Sequence, residues 1–388
     1  MCKRSATTSR KFAIRSNEMK QTNEQIDLSG VLAVGTYPPP VTGQAVAFGR
    51  AVDGLDLPYV DINSKVVRAD KSFSPERVWE VLRQAATCWR KSKGKQTLYL
   101  TCATSRFGFI RDAMFILPAK LRGMRVLIHV HQGDFQGVLA KQPAPMRAFV
   151  RWVYRRIDRI IVSSARFLGQ YDFVPKERLT AVPNGVPEEQ PQANPPDEEV
   201  RVLYLSNLMP QKGIMELVES MAKLPPNYRL LIAGAPLICA SDPYDSPEQF
   251  GKAVQDRIEE LGLGERVSML GVVYGDAKDR LLASSHVLAL PTTYENELQP
   301  VCVIEAMMAA VPAVTTAHRD LRDMVDEDRG ARIETPEPGQ IADAILRATS
   351  SREEWQRRSN RAREVAVERY GLKTYLASLT RELTTPEK

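Results

Sequence analysis

Short apolar runs of strand length alternate with amphipathic stretches from residue 29 onward. In the first half of the chain these runs are GVLAVGTYP, QTLYLTCAT, MRVLIHVHQG, RIIVSSA and LTAVPNGV. Nearly continuous apolar strands separated by helical segments are typical of a parallel sheet with both faces covered. The pattern predicts a doubly wound α/β domain over residues 27–188.

The polar, proline-rich segment PEEQPQANPPDEE interrupts this alternation and predicts an interdomain linker at 189–199. The same pattern then restarts with VRVLYLSNL, YRLLIAGAP, RVSMLGVV, HVLALPTT and VPAVTTA, which predicts a second domain of the same kind over 200–365. The stretch 366–388 has helical period, and we expect it to pack back on the first domain. Ligands are expected at the carboxyl ends of the strands, in the cleft where two such domains face each other.

The composition agrees with two soluble domains. The chain has 388 residues, of which 43% are hydrophobic and 26% are charged, and no run approaches the length of a membrane-spanning helix. Residues 1–26 are polar and basic and lack the apolar stretch of a secretory signal, so we expect a disordered basic extension and a cytoplasmic protein.

Cysteine usage and charge exclude several classes of function. Five cysteines are scattered without CxxC spacing, which argues against a disulfide framework and against a zinc site; they are Cys2, Cys88, Cys102, Cys239 and Cys302. The net charge of +6 suits an anionic substrate or a membrane surface. No basic and aromatic pattern of a nucleic-acid-binding module is present, so no nucleic-acid partner is expected.

Four segments carry a resemblance to a known family: PPPVTGQ, IHVHQGDF, SNLMPQKG and PTTYENELQPVCVIEAMMAAVPAV. Together they resemble family 4 of the retaining glycosyltransferases (group 1), from about residue 29 to the C-terminus. The resemblance implies the α/β GT-B fold, with two Rossmann-like doubly wound domains facing a central cleft. It also implies that the first domain binds the acceptor and the second the nucleotide-sugar donor.

Two glutamates fit the family's E-x7-E signature, Glu297 and Glu305. Pro300 between them suits the start of a helix, whose free amides form an anion site for a diphosphate without a metal. The resemblance implies that Glu305 accepts hydrogen bonds from the ribose hydroxyls and that Glu297 bonds the transferred sugar. The alternative is two solvated carboxylates flanking a core helix. The candidate amide donors are Leu298, Gln299, Val301 and Cys302.

Lys212, in PQKG before a predicted helix, matches the family lysine that meets the diphosphate. Its ammonium group would neutralise the leaving group as the glycosidic bond breaks. The family usually has an arginine five positions earlier, where this chain has Asn207, and an amide offers neither the charge nor the fork of a guanidinium. Asn207 is therefore a candidate phosphate or sugar contact only, and an ordinary exposed lysine is the alternative for Lys212.

Further candidate donor contacts lie in two loops. Gly43 matches the family's glycine-rich loop, where close backbone approach to a diphosphate needs a residue without Cβ, although Gln44 replaces the usual second glycine. Val273, in GVV, resembles the place where backbone atoms read the base. Asn184 resembles a hinge turn, and Ala310 replaces a glycine often found before a proline, which we expect to affect packing only.

HVH at the end of an apolar strand holds two of the four histidines. Strand alternation sends His129 and His131 to the same face, and the strand end is where sites occur. The resemblance favours His131 as a donor to the sugar or an acceptor hydroxyl and His129 as its support. With Asp134 as the only nearby acid, a metal site has weak support.

The stretch PMRAFVRWVYRRIDRI is compatible with two interpretations. It could be a membrane-surface helix that helps reach a lipid-linked acceptor. It could equally be a Rossmann helix with a buried apolar stripe and solvated arginines.

The resemblance implies a retaining hexosyltransferase that acts in bacterial-type polysaccharide or glycolipid assembly. It would need no cofactor and would take a nucleotide diphosphate sugar as donor and a sugar or lipid-linked saccharide as acceptor, in the cytoplasm or peripherally at the inner face of the plasma membrane. The alternatives are a sugar-nucleotide epimerase or phosphorylase of the same fold, a degenerate nucleotide-sugar-binding subunit, and a glycoside hydrolase that uses the two glutamates.

Overall fold

The computed structural model describes residues 27–39, 42–63, 75–103, 105–131, 133–239 and 242–385. The basic extension expected at 1–26 lies outside the described residues. The described residues form two compact units, which fall within Met1–Val182 with Tyr375–Lys388 and within Pro183–Thr374. None of the described helices has the length and apolar character that crossing a bilayer requires.

The first unit contains a six-stranded parallel sheet in the order β2-β1-β3-β4-β5-β6. Its strands are β1 Val31–Gly35, β2 Tyr59–Asp61, β3 Thr97–Cys102, β4 Arg125–Val130, β5 Arg159–Val162 and β6 Leu179–Ala181. Its helices are α1 Gly43–Leu55, α2 Pro75–Lys91, α3 Arg106–Leu121, α4 Phe135–Ala140 and α5 Ala144–Tyr154. Every residue of β1 and β3 is buried, as expected for strands with helices on both faces.

Three helices of the first unit form one layer, in which α2 packs on α3 and α3 packs on α5. The end of the chain also belongs to this unit. The last helix, α13 Leu372–Thr384, buries Leu376 and Leu379, and the guanidinium of Arg125 donates to Glu382 O at 2.7 Å. The first unit is therefore completed by residues more than 190 positions away in sequence.

The second unit contains a six-stranded parallel sheet in the order β12-β11-β10-β7-β8-β9. Its strands are β7 Val200–Leu205, β8 Tyr228–Ala233, β9 Val267–Gly271, β10 Val287–Leu290, β11 Ala313–Thr316 and β12 Gly330–Ile333. Its helices are α6 Ile214–Met221, α7 Pro247–Glu260, α8 Gly275–Ala283, α9 Val301–Met308, α10 Leu321–Met324, α11 Pro338–Ala348 and α12 Arg352–Tyr370. This is the Rossmann strand order, in which the direction of winding reverses between β7 and β10. The fold class predicted from the sequence, α/β with two Rossmann-like doubly wound domains, is confirmed.

The segment 189–199, expected to be a linker, runs inside the second unit. The amide of Ala193 donates to Ala309 O at 2.7 Å, and the amide of Asn194 donates to Ala283 O at 2.8 Å. Backbone groups, which composition does not reveal, attach this polar segment to the helices of the unit. The assignment of acceptor and donor binding to the two units stays a prediction.

The expectation for Ala310 needs correction, because its backbone φ is +60°. Helix α9 ends in a Schellman motif, in which the Val311 amide donates to Ala306 O at 2.8 Å and the Ala310 amide to Met307 O at 3.0 Å. Glycine is favoured at that left-handed position because a Cβ is strained there. The replacement of glycine by alanine therefore strains the backbone and does not affect packing only.

Candidate functional site

The reversal of winding in the second sheet defines the candidate site. Strands β7 and β10 are hydrogen-bonded neighbours, with Val202 beside Val287 and Leu203 beside Leu288. Loops that leave two such strands in opposite directions open a crevice at their carboxyl ends. The turn with Lys212 follows β7, and the segment with Glu297 follows β10.

Lys212 and Glu297 form an ion pair at this crevice. Lys212 Nζ lies 3.0 Å from Glu297 Oε2, and the two side chains are only 13% and 11% exposed. The ammonium group also donates to Ser206 Oγ at 2.9 Å, and it lies 5.7 Å from the centre of the Tyr294 ring. The cation is therefore held at a fixed place between the two loops.

Gly213 explains why the two loops meet closely. Its φ is +70°, and a Cβ built on it would lie 2.3 Å from Pro291 O, which only glycine avoids. The Thr293 amide donates to Gln211 O at 2.8 Å across the same contact. Backbone packing thus brings the lysine loop against the segment that carries Glu297.

The electrostatics of the pair keep the lysine charged. Burial acts to lower the pKa of Lys212, but the charge of Glu297, with smaller effects from Cys302 and Tyr294, raises the pKa above its ordinary value of 10.5. Burial raises the pKa of the neighbouring Cys302 thiol to about 12, against the opposing charge of Lys212. Cys302 is thus a neutral thiol beside a permanent cation.

Helix α9 begins at Val301, immediately after Pro300. Its first backbone acceptor is Pro300 O, which takes the amides of Val303 at 3.1 Å and Ile304 at 3.3 Å. Val301 and Cys302 come before the first residue that donates such a bond, so their amides stand at the positive end of the helix.

Leu298 and Gln299, the other two predicted donors, are buried. Gln299 fixes the approach to the helix, since its Oε1 accepts from the Asn184 amide at 2.6 Å and its carbonyl from Asn184 Nδ2 at 3.3 Å. Asn184, expected to be a hinge, anchors this segment within the second unit.

Glu305 lies in the second turn of α9 and is buried. Its Oε1 accepts a hydrogen bond from Lys278 Nζ at 2.8 Å, which also makes an ion pair. Sequence reasoning missed Lys278, although one signal was available. Lys278 is the fourth residue of α8, where the helix dipole disfavours a cation, so a specific carboxylate partner was a reasonable expectation.

Two weaker candidates of the second unit lie near these groups in sequence. The Asn207 side chain is exposed, and its carbonyl accepts from the Tyr204 hydroxyl at 2.9 Å. Val273 precedes α8 and packs partly against the core of the unit. Both positions follow the carboxyl end of a strand, β7 for Asn207 and β9 for Val273.

Gly43 and His131 belong to the first unit. Gly43 starts α1 after the cap Thr42, whose Oγ1 accepts from the Ala45 amide at 3.2 Å. A Cβ built on Gly43 would meet no described atom within 4 Å, so a larger residue would not clash with the described neighbours at this position. Space is therefore left at the start of this helix.

His131 follows β4 directly, and its ring centre lies 4.1 Å from that of His129. Both rings therefore share one face of the strand. His129 Nδ1 lies 2.8 Å from the Tyr99 hydroxyl oxygen. Burial, and then the neighbouring His131, lowers the pKa of His129 well below its ordinary range, which keeps its ring neutral. Within the described ranges, no three His, Cys, Asp or Glu side chains come together to hold a metal ion.

The structure thus gathers the predicted donor-side residues in one unit, with the exception of Gly43, which belongs to the other. Lys212 forms an ion pair with Glu297, and the charges of Lys212, Glu297 and Glu305 all act on the pKa of Cys302. Lys278, which sequence reasoning missed, forms an ion pair with Glu305. A fixed cation, helix amides and two largely buried carboxylates can bind a diphosphate together with sugar hydroxyls.

Comparison with known proteins places both units in known families. The family described as Glycosyl transferases group 1 matches residues 186–365, and that described as Glycosyl transferase 4-like domain matches residues 31–185. The uncharacterized glycosyltransferase MJ1607 of Methanocaldococcus jannaschii is 29% identical over 180 residues. That match covers 45% of this chain and 42% of the relative, so the chain aligns with less than half of the relative's length.

Solved structures share the fold. Anabaena Alr3699/HepE in complex with UDP is 15% identical, with a TM-score of 0.70 over 91% of this chain and 99% of that chain. The sucrose-phosphate synthase of Thermosynechococcus elongatus is 19% identical, with a TM-score of 0.67 over 91% of this chain and 98% of that chain.

Proposed function

The chain belongs to the group 1 glycosyltransferases and has the GT-B fold, and on that premise we propose that it is a retaining hexosyltransferase. It moves a sugar from a nucleotide diphosphate sugar to an acceptor hydroxyl. The observation that carries this proposal is the largely buried Lys212–Glu297 pair at the point where the second sheet reverses its winding.

In this proposal the diphosphate lies against the start of α9. The amides of Val301 and Cys302 donate to its oxygens, and Lys212 neutralises the charge that develops when the bond between the sugar C1 and the phosphate oxygen breaks. Asn207 stands where the family resemblance implies an arginine, and its exposed amide contacts a phosphate or a sugar hydroxyl.

The two carboxylates hold opposite ends of the donor. Glu297 bonds hydroxyls of the transferred sugar, and Glu305 bonds the ribose hydroxyls while Lys278 orients its carboxylate. The sugar becomes cationic as the bond breaks, so a carboxylate beside it stabilises the transition state. The leaving phosphate oxygen takes the proton of the acceptor hydroxyl, which attacks C1 from the side the phosphate leaves and so retains the anomeric configuration.

A UDP-sugar is the first donor to test, because Anabaena HepE, which shares the fold, has been solved with UDP and with UDP-glucose. The acceptor is a sugar or a lipid-linked saccharide in polysaccharide or glycolipid assembly, and His131 donates a hydrogen bond to the sugar or to an acceptor hydroxyl. A donor diphosphate held by amides and a lysine needs no cofactor.

The test combines donor screening with product analysis. The purified chain is incubated with UDP-, GDP- and ADP-sugars and a panel of saccharide acceptors, and the product's anomeric configuration is read by NMR. Lys212→Ala should abolish transfer, whereas Lys252→Ala, which removes a lysine paired with Asp256 on the surface of the same unit, should leave it intact. Full transfer by Lys212→Ala would refute the assignment, and donor binding without any turnover would indicate a nucleotide-sugar-binding subunit.

A further inference from the structure

Three of the four tryptophans lie exposed on one helical layer of the first unit. Trp79 and Trp89 are on α2, and Trp152 is on α5, whereas Trp355 is buried in the second unit. Trp79 is 70% exposed, and Leu121 at the end of α3 is 85% exposed. We call this surface the tryptophan face; it consists of Val78, Trp79, Leu82, Trp89, Leu121 and Trp152.

The apolar residues of the tryptophan face have an ordered arrangement. Val78, Leu82 and Trp89 recur at helical spacing along α2, on the side away from its buried residues. Helices α2, α3 and α5 each lead into one of three neighbouring strands, so they run in the same direction in one layer. Trp89, Leu121 and Trp152 therefore stand near the same end of three adjacent helices.

The part of the chain that carries this face is strongly basic. Between residues 75 and 156, the described residues include nine exposed lysines and arginines but one exposed carboxylate, that of Glu76. The whole chain has nearly balanced charges, 53 basic against 47 acidic residues, so the excess is concentrated here. The nine cations are Arg83, Arg90, Lys91, Lys93, Arg106, Lys141, Arg151, Arg155 and Arg156.

Two arginines stack on the exposed tryptophans. The Arg122 guanidinium lies 3.3 Å from the centre of the Trp89 ring, and that of Arg156 lies 3.7 Å from the Trp152 ring. Basic residues near helix C-termini are explained by the helix dipole, but the dipole does not account for tryptophan and leucine side chains left in water. Core packing does not account for them either, because most of the Trp79 and Leu121 surface is exposed.

We propose that the tryptophan face binds the surface of a bilayer that contains anionic lipids. Indole rings and long basic side chains together match the boundary between acyl chains and headgroups, where rings insert and cations meet phosphates. The apolar side chains stand in rows on the outer sides of helices, which suits shallow insertion between lipids. This surface extends the membrane contact expected from α5 alone to three helices, and it stands independently of the donor site.

The test is sedimentation of the full chain with vesicles of phosphatidylcholine alone or of equal parts phosphatidylcholine and phosphatidylglycerol. We expect binding to the anionic vesicles only, with release at high salt. The double variant Trp79→Ser, Leu82→Ser should lower the partition coefficient at least about tenfold. Val367→Ser, which changes an apolar residue 38% exposed in the second unit, should bind like the wild type.

Two readouts separate this role from damage to the fold. The double variant should keep the circular dichroism spectrum of the wild type and its transfer activity on a soluble acceptor. Absence of binding to anionic vesicles, or equal binding by the double variant, would overturn the proposal. Self-association that the double variant abolishes, without lipid binding, would assign the face to a second copy of the chain and refute the lipid partner.

Discussion

Lys278 Nζ lies 2.8 Å from Glu305 Oε1, which joins the first turns of α8 to the helix that follows Pro300. The Glu305 side chain is 8% exposed, so its carboxylate lies largely out of water and is paired with this cation. A buried carboxylate paired with an ammonium group is fixed in orientation and stays ready to accept hydrogen bonds. The residue proposed to bind the ribose is thus positioned by a lysine on a different helix.

We predict that Lys278→Met raises the donor KM about tenfold and leaves kcat within about twofold, because a charged hydrogen bond that orients a binding group is worth about 1.5 kcal/mol. Initial rates and the Kd of the nucleoside diphosphate, measured by calorimetry, would show this split. Lys278→Arg should restore most of the affinity. An unchanged donor KM in Lys278→Met, with Glu305→Gln still impaired, would rule out the positioning role.

For Lys212 and Glu297 we predict strongly non-additive losses. Lys212→Ala and Glu297→Gln should each lower kcat/KM by about 10² to 10³, because each removes charge stabilisation at the reacting sugar and phosphate. The double variant should be little worse than the poorer single variant, since each group depends on the other for its position. A double-mutant cycle in kcat/KM measures the coupling, and fully multiplicative losses would contradict a common role.

The same pair gives a prediction for pH. Since the folded pKa of Lys212 is raised above 10.5, the stabilisation by the pair is fully present below pH 10.5 and is lost only as pH rises through the higher folded pKa. The difference in unfolding free energy between wild type and Lys212→Ala should therefore be constant from about pH 6 to 9. Urea titrations across that range test this, and a difference that changed steadily with pH would contradict it.

His286 should make the protein sensitive to acid. His286 is buried, and its Nδ1 accepts a hydrogen bond from the Arg201 amide at 3.0 Å. Burial lowers the pKa of His286 to about 4, helped by the charges of Arg352 and Arg201 and opposed by the smaller effects of Asp197 and Glu199. Because the folded pKa lies below the ordinary 6.5, this contribution is complete above pH 6.5 and is lost as pH falls towards 4, a total of about 3 kcal/mol.

The measurement for His286 is the unfolding free energy between pH 7 and 4, compared with His286→Asn. The variant keeps an acceptor for the Arg201 amide but cannot be protonated in this range. Its stability should fall by about 3 kcal/mol less than that of the wild type. Parallel curves would show that the pKa of His286 is the same in the folded and unfolded protein and would contradict the prediction.

Gly213 should tolerate no side chain. Gly213→Ala should cost at least about 2 kcal/mol, since it adds a backbone clash to the strain of a positive φ, whereas Gly262→Ala should cost about 1 kcal/mol. Gly262 has φ +64° but meets no described atom at its Cβ position, so it isolates the strain alone. Gly213→Ala should also lower kcat/KM, because Lys212 moves with the turn. Equal stability losses in the two variants would show that the contact with Pro291 relaxes without cost.

The fold was predictable because its signal is repeated along the chain. Strands of a parallel sheet that is covered on both faces need apolar residues at every position. Segments such as Leu98–Leu100 and Leu288–Leu290 can therefore be recognised as strands from their own sequence, without knowing which strands lie beside them. Glu297 and Lys212 were selected as candidates because they match family motifs. Their 3.0 Å contact was not predictable, because it depends on the close approach of Gly213 to Pro291.

Pairings between distant segments could not be read from the sequence. Lys278 and Glu305 are 27 positions apart on different helices, and no local period connects them. The linker prediction at 189–199 relied on composition, which says nothing of the backbone bonds that Ala193 and Asn194 make. The positive φ of Ala310 could not be predicted either, because alanine rarely adopts that conformation and the turn at the end of α9 imposes it.

The clustering of residues 375–388 with the first unit has a consequence for synthesis. Residues 27–182 leave the ribosome long before α13 is synthesised, so the surface around Gly54, against which Leu376 packs, remains uncovered while the whole second unit is being made. The first unit is thus the first to be synthesised and the last to be completed. A nascent chain stalled before position 375 should therefore be bound by chaperones.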